Sequence, residues 1–92
     1  MSIIENLENA IEDVGNCKDI PIYTKIELID IGKRILYIFP KNEDAAMRYA
    51  NQVIFTNDFR KKAESLSTKS KKVVYNIINL FECFVFYDIP DL

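Results

Sequence analysis

The feature that most constrains this chain is an apolar stripe between residues 69 and 87. Apolar side chains recur there at spacings of three and four residues, and on a helix they fill one continuous arc roughly 160° wide. The stripe consists of Val73, Val74, Ile77, Ile78, Leu80, Phe81, Phe84 and Val85. A helix with this much apolar surface needs other helices packed across it. The stripe therefore predicts an all-α bundle organised around a helix over 70–87.

Length and composition fit one folded domain spanning residues 1–92. The chain is 49% hydrophobic and 28% charged, which is ordinary for a globular domain, and its net charge of −2 gives no general attraction to nucleic acid or anionic lipid. Cys17 and Cys83 form no CxxC pair, so we expect a reducing, cytoplasmic compartment, with Cys83 in the core or at its border. The apolar runs are too short to span a bilayer, and direct membrane insertion is not expected.

The first helix is predicted over residues 3–14. Ser2 and Glu5 have the spacing of a capping box, which satisfies backbone donors at a helix N-terminus. Gly15 is expected to end this helix in the left-handed conformation.

The second helix is predicted over residues 22–39, with Pro21 at its start. The alternative over 24–39 is a β-hairpin turning at Gly32–Lys33, because β-branched residues are frequent there. Helix is favoured because a lone hairpin among helices would leave unpaired strand edges. Gly32 would then be a weak point that costs about 1 kcal/mol relative to alanine.

This second helix would be apolar on two sides. Ile22, Ile26, Ile29 and Leu36 share one face, whereas Leu28, Ile31, Ile35, Ile38 and Phe39 share nearly the opposite one. Such a helix is either enclosed in the bundle or keeps one face for a partner.

A third helix is predicted over residues 43–64, with Asn42 as its N-cap. The helix over 70–87 would begin with lysines where the helix dipole prefers acids, so we expect it to be poorly capped.

The residue types needed for most enzyme chemistry are scarce. The chain has no histidine, its carboxylates are scattered, and its two glycines cannot form a phosphate-binding loop. We therefore expect no enzymatic activity, no cofactor and no metal site.

Two features have both a structural and a functional interpretation. Residues 60–72 carry six basic side chains against Glu64 alone. This run is either a solvated helix end or a docking patch for an acidic partner. Phe55 and Phe59 either pack against the first helix or form an exposed aromatic patch.

The run YANQVIFTNDFRKKAESLSTKSKKVVYNIINLFECFVFYDIPD, residues 49–91, resembles the N-terminal region of the ESCRT-III-associated activator of the AAA ATPase that recycles membrane-scission filaments. That region consists of tandem MIT (microtubule-interacting and transport) helical bundles. The residues that carry the resemblance are Tyr49, Ala50, Asp58, Lys62, Ala63, Lys72, Tyr75, Leu80, Glu82 and Tyr87. Residues 7–39 are similar to the first helical pair of the same region, with Asp19-Ile20-Pro21 at its turn.

The resemblance implies a non-enzymatic domain that holds amphipathic tail helices of ESCRT-III subunits in a groove. It also implies that this chain corresponds only to the part of the family's proteins that binds ESCRT-III. The expected groove is lined by Leu28, Ile31, Ile35, Phe55 and Phe59. Arg60, Lys61 and Lys62 would meet acidic residues of the tail. The alternative function is a small viral, phage or immunity-type inhibitor that acts by protein–protein contact.

Overall fold

A computed structural model of the protein describes residues 2–85, which form five α-helices. These are α1 (Ile3–Asn16), α2 (Ile22–Ile38), α3 (Glu43–Thr56), α4 (Phe59–Ala63) and α5 (Thr68–Val85). The predicted all-α fold is confirmed, and the hairpin alternative for residues 24–39 is wrong because α2 is continuous through Gly32. The predicted end of the last helix at residue 87 lies outside the described residues.

The N-terminal caps of α1 and α3 agree with the sequence pattern. Ser2 Oγ accepts a hydrogen bond from the Glu5 backbone N–H at 3.1 Å, and Asn42 Oδ1 accepts one from the Ala45 N–H at 3.0 Å. The expected left-handed stop at Gly15 is wrong, since α1 continues to Asn16 and no glycine in the described chain has a positive φ.

The predicted helix over 43–64 is interrupted at Asn57 and Asp58. The Asn57 side chain donates to the Val53 carbonyl at 3.2 Å, and Asp58 Oδ1 accepts from the Lys61 N–H at 3.1 Å to cap α4. Short polar side chains offer the backbone these alternative bonds, which is why adjacent Asn and Asp can end a helix and start another. The interruption redirects the chain, and Phe59 enters the core.

The start of α5 has a side-chain cap, although the lysines near it led us to expect a poorly capped helix. Ser67 Oγ accepts a hydrogen bond from the Ser70 N–H at 3.4 Å, and the helix begins at Thr68, two residues before the predicted start.

The core lies where α5 meets the other helices. α5 packs against α1, α3 and α4, while α2 lies across α1 and α3. The largest fully buried side chains include Phe81, Phe84 and Ile77 from α5, with Leu28 and Ile35 from α2. The organising role predicted for this helix is therefore confirmed. Between residues 2 and 85, every helix is too short or too polar to cross a bilayer.

Candidate functional site

The groove expected from the sequence is wrong, because four of its five lining residues are buried. Leu28 and Ile35 are 0% exposed, Ile31 is 7% exposed and Phe59 is 4% exposed. The face of α2 that carries the first three is the one packed into the bundle, and the turn at residues 57–58 sends Phe59 inward. Phe55 is the one member of the set that is exposed, at 82%.

Arg60, expected to meet an acidic partner, is engaged within the protein. Its Nη2 lies 2.6 Å from Glu82 Oε1 and 2.9 Å from Asn79 Oδ1. The guanidinium also lies 5.8 Å from the centre of the Tyr75 ring. These contacts hold α4 against the outer side of α5.

Lys62 has a similar internal role. Its Nζ lies 3.9 Å from Glu27 Oε1 on α2 and 5.1 Å from the centre of the Phe59 ring. Lys61 is exposed beside them. The three basic residues are therefore neighbours on α4, and Arg60 borders a small cleft of about 90 Å³ whose apolar lining includes Val53, Ile54, Phe59, Ile78 and Phe81.

The exposed apolar surface lies instead on the opposite side of α2. Ile22, Tyr23, Ile26 and Tyr37 are 60%, 79%, 55% and 68% exposed, and Phe55 is the fifth exposed large hydrophobic residue of the described chain. At about 100° per residue the four α2 residues fall within one arc of roughly 100°. We call the surface formed by Ile22, Tyr23, Ile26, Asp30, Lys33, Arg34 and Tyr37 the outer face of α2.

The two-sided pattern of α2 was therefore predicted, but its two faces were assigned the wrong way round. The face chosen for a partner is buried, and on the opposite face Ile22 and Ile26 are exposed while Ile29 and Leu36 pack against the edge of the core. A signal for this exists in the sequence. Asp30, Lys33 and Arg34 share the side of Ile26, whereas Lys25 is the one charged residue of α2 on the side of Leu28 and Ile35.

The C-terminal half of the outer face combines an aromatic ring with cations. Lys41 Nζ lies 3.5 Å from the centre of the Tyr37 ring, and Arg34 Nε lies 3.0 Å from Asp30 Oδ2 one turn earlier. Lys33, Arg34, Tyr37 and Ile38 line an open depression of about 420 Å³. This half can receive an apolar group together with a negative charge.

A second polar arrangement, which the sequence analysis missed, joins the loop after α1 to the start of α5. Ser67 Oγ and Ser70 Oγ lie 3.1 Å and 3.4 Å from Asp19 Oδ2, and Cys17 Sγ lies 3.1 Å from Ser70 Oγ. An open cleft of about 460 Å³ lies beside it. The capping position of Ser67 is the only sequence signal for this arrangement.

This arrangement ties two segments together rather than presenting a nucleophile. Ser70 is 1% exposed, and Asp19 accepts hydrogen bonds from both serines. Cys83, expected in the core or at its border, is exposed because it lies on the polar side of α5 with Asn79. From Ser2 to Val85 no three metal-ligating side chains come together.

Comparisons with protein-family models, with curated proteins and with solved structures found no match.

Proposed function

We propose that this chain is a non-enzymatic protein-interaction domain whose outer face of α2 receives an amphipathic helix from a partner protein. The observation that carries the proposal is that four of the five exposed large hydrophobic residues within residues 2–85 lie on one helix. Single exposed apolar side chains are normal on a protein surface. A surface that another molecule covers typically carries a group of them, and here Ile22, Tyr23 and Ile26 are adjacent, with charged residues between them and Tyr37.

The partner that we propose is the C-terminal tail helix of an ESCRT-III subunit, and the domain would act as a cytoplasmic adaptor in membrane remodelling by an AAA ATPase. The resemblance of residues 49–91 to MIT bundles supports this choice of partner. The helical fold of the described chain is compatible with it, and the unpaired thiols of Cys17 and Cys83 fit a reducing compartment.

A helix laid along the outer face of α2 would meet two different environments. Its apolar residues would cover Ile22, Tyr23 and Ile26, with the helix axes about 8–10 Å apart. Acidic residues at its other end would lie near the cations around Tyr37. Tyrosine is frequent among the residues that dominate binding energies, so Tyr23 and Tyr37 would contribute most.

The experiment is a titration of fluorescently labelled ESCRT-III tail peptides with purified protein, read by anisotropy. Wild type is compared with Ile22→Ser/Ile26→Ser and with the control Phe55→Ser, which removes an exposed apolar side chain elsewhere. We expect the double variant to bind at least about tenfold more weakly, because two truncated contacts together exceed roughly 1.4 kcal/mol, and the control to match wild type.

Two results would contradict this proposal in different ways. If no ESCRT-III tail binds, the partner is wrong and inhibition of another protein by surface contact becomes the better hypothesis. If a tail binds and the double variant binds equally well, the partner is right but the surface is wrong.

A further inference from the structure

We infer that α4 is a strap over the junction of α3 and α5, and that its release opens a groove for a partner helix with an aromatic residue followed by an arginine. The observation behind this is that α4 itself shows which side chains the junction accepts. Phe59 is 4% exposed within it, and Arg60 Nη2 donates hydrogen bonds to Glu82 and Asn79 at its rim. The inference uses no residue of the outer face of α2 and does not depend on the proposed function.

The helix α4 is too short to be stable by itself. It has five residues, whereas isolated helices shorter than about 12–15 residues are marginal in water, so its structure depends on contacts with the rest of the bundle. Residues 57–58 separate it from α3, and residues 64–67 separate it from α5. Changes in these two turns are therefore enough to release α4, and neither neighbouring helix has to unwind.

Few contacts hold α4 in place. Of its five residues, Phe59 and Ala63 are buried. The Arg60–Glu82 and Lys62–Glu27 pairs have side chains that are 37% to 46% exposed, and ion pairs in such contact with water contribute little to stability. Phe59 is therefore the main anchor. The cleft of about 90 Å³ beside its ring shows that this anchor does not fill the space between α3 and α5 completely.

The bundle keeps most of its core when α4 is released. The helix α5 packs directly against α1 and α3, and the fully buried Phe84, Leu28 and Ile35 do not line the cleft beside α4. Segments with few buried contacts open locally, at a lower free energy than the whole domain unfolds. We therefore expect α4 to open while the other helices stay folded.

The open groove has a defined chemistry. Its apolar floor consists of the side chains that share the cleft with Phe59, which are Val53, Ile54, Ile78 and Phe81. A partner helix covers this floor when it inserts an aromatic ring in place of Phe59. An arginine next to that ring then reaches Glu82, as Arg60 does in the closed state.

The first test is native-state hydrogen exchange of the full chain, read by NMR at low urea concentrations. The amides of Lys62 and Glu64 donate to the carbonyls of Asp58 and Lys61. We expect them to exchange through a local opening that urea hardly changes, while amides in the middle of α5 exchange only when the domain unfolds. Amides of α4 with the same protection and the same urea dependence as those of α5 would overturn the inference.

The second test supplies a competing segment to ¹⁵N-labelled protein. The probe is an unlabelled peptide with the sequence of residues 57–66, titrated to about millimolar concentrations, which approach the effective concentration of a segment on short connections. We expect shifted resonances at Val53, Ile78 and Phe81. Arg60→Ala in the protein weakens the strap, and because apparent affinity scales with the open fraction, this variant should bind the peptide at least about threefold more tightly than wild type.

Two controls accompany the titration. The Phe59→Ala version of the peptide lacks the anchor and should not bind. Lys61→Ala in the protein changes an exposed side chain of the same helix and should bind the peptide like wild type. Circular dichroism checks that both protein variants are folded. A loss of stability alone does not raise the affinity for a peptide, so tighter binding by Arg60→Ala is specific to the release of α4.

Three results would overturn the inference. These are no shifted resonances in the groove with either protein, equal affinity of wild type and Arg60→Ala, and equal binding of the two peptides. None of them bears on the proposed function, because the tail-peptide titration reports on the outer face of α2.

Discussion

Gly32 on α2 lies directly against Ile11 on α1. A Cβ atom placed at Gly32 would be 2.7 Å from Ile11 Cγ1 and 2.8 Å from Ile11 Cδ1, closer than carbon atoms pack. Gly32 is buried, and its missing side chain allows α1 and α2 to approach. Gly32 has a low helix propensity and would weaken an isolated helix, but the close packing of α1 against α2 requires it.

We expect Gly32→Ala to destabilise the protein by about 1 kcal/mol. Overpacking against Ile11 should lower the free energy of unfolding by roughly 1–3 kcal/mol, whereas the better helix propensity of alanine should raise it by only about 1 kcal/mol. Urea unfolding followed by circular dichroism measures the difference.

Two variants control for this effect. In an Ile11→Ala background both clashing atoms are gone, so Gly32→Ala should become stabilising by up to about 1 kcal/mol. Gly15→Ala should also stabilise, because its added Cβ would meet only Ile29 Cδ1 at 3.9 Å. If Gly32→Ala has the same effect in both backgrounds, the Ile11 contact does not limit this position.

Phe55 and Phe59 should respond oppositely to truncation. We expect Phe59→Ala to lower the free energy of unfolding by about 3–4 kcal/mol, because it empties a core site that is 4% exposed. Phe55→Ala, at 82% exposure, should change it by less than about 0.5 kcal/mol. If denaturant titrations show that both variants lose the same free energy of unfolding, the turn at residues 57–58 does not direct Phe59 into the core.

This pair of residues also illustrates how far the sequence could predict the fold. The periodicity around Ile77 and Phe81 predicted the central helix, and side-chain chemistry predicted the caps at Ser2 and Asn42, because these signals are local. The interruption between α3 and α4 could not be predicted in this way. The side chains of Asn57 and Asp58 can either hydrogen-bond to the backbone and end the helix or stay within a continuous helix, and tertiary packing selects between these two conformations.

The wrong choice of the partner-binding face of α2 has a similar cause. Hydrophobic periodicity gives α2 two apolar faces of similar strength and cannot rank them. The choice depends on the close fit at Gly32 and on the charges that Asp30 and Lys33 keep in water. The two charges can be read from the sequence, but the close fit at Gly32 is a contact between distant parts of the chain and exists only in the packed bundle.

Ser67→Ala should lower the free energy of unfolding by about 1–2 kcal/mol. The substitution removes the hydrogen bond that caps α5 and the bond from Ser67 Oγ to Asp19 at 3.1 Å. Thermal unfolding measures the change, and Ser65→Ala in the same exposed loop is the control. A Ser67 variant as stable as the Ser65 variant would mean that water replaces both bonds without loss.

The stability of the protein should fall at high pH through Tyr49. Burial raises the pKa of the Tyr49 phenol above its usual 10.0, an effect that Arg34 opposes. The folded state therefore keeps this proton at a pH where the unfolded chain releases it, so the stabilisation is present below about pH 10 and is lost as the pH rises further.

The Tyr49→Phe variant isolates this contribution. Urea unfolding between about pH 8 and pH 11 should show wild type losing stability relative to the variant as the pH rises. Tyr23→Phe, which removes an exposed phenol, is the control. Parallel curves for wild type and Tyr49→Phe would contradict the effect of burial.

An NMR titration of ¹⁵N-labelled protein with an ESCRT-III tail peptide tests directly whether the outer face of α2 is the interaction surface. We expect the amides with shifted resonances to follow the outer face of α2, from Ile22 to Tyr37, and the resonances of the exposed side of α5 to stay unchanged. Shifts confined to α4 and α5, or no shifts with any tail peptide, would contradict the claim that this face is the interaction surface.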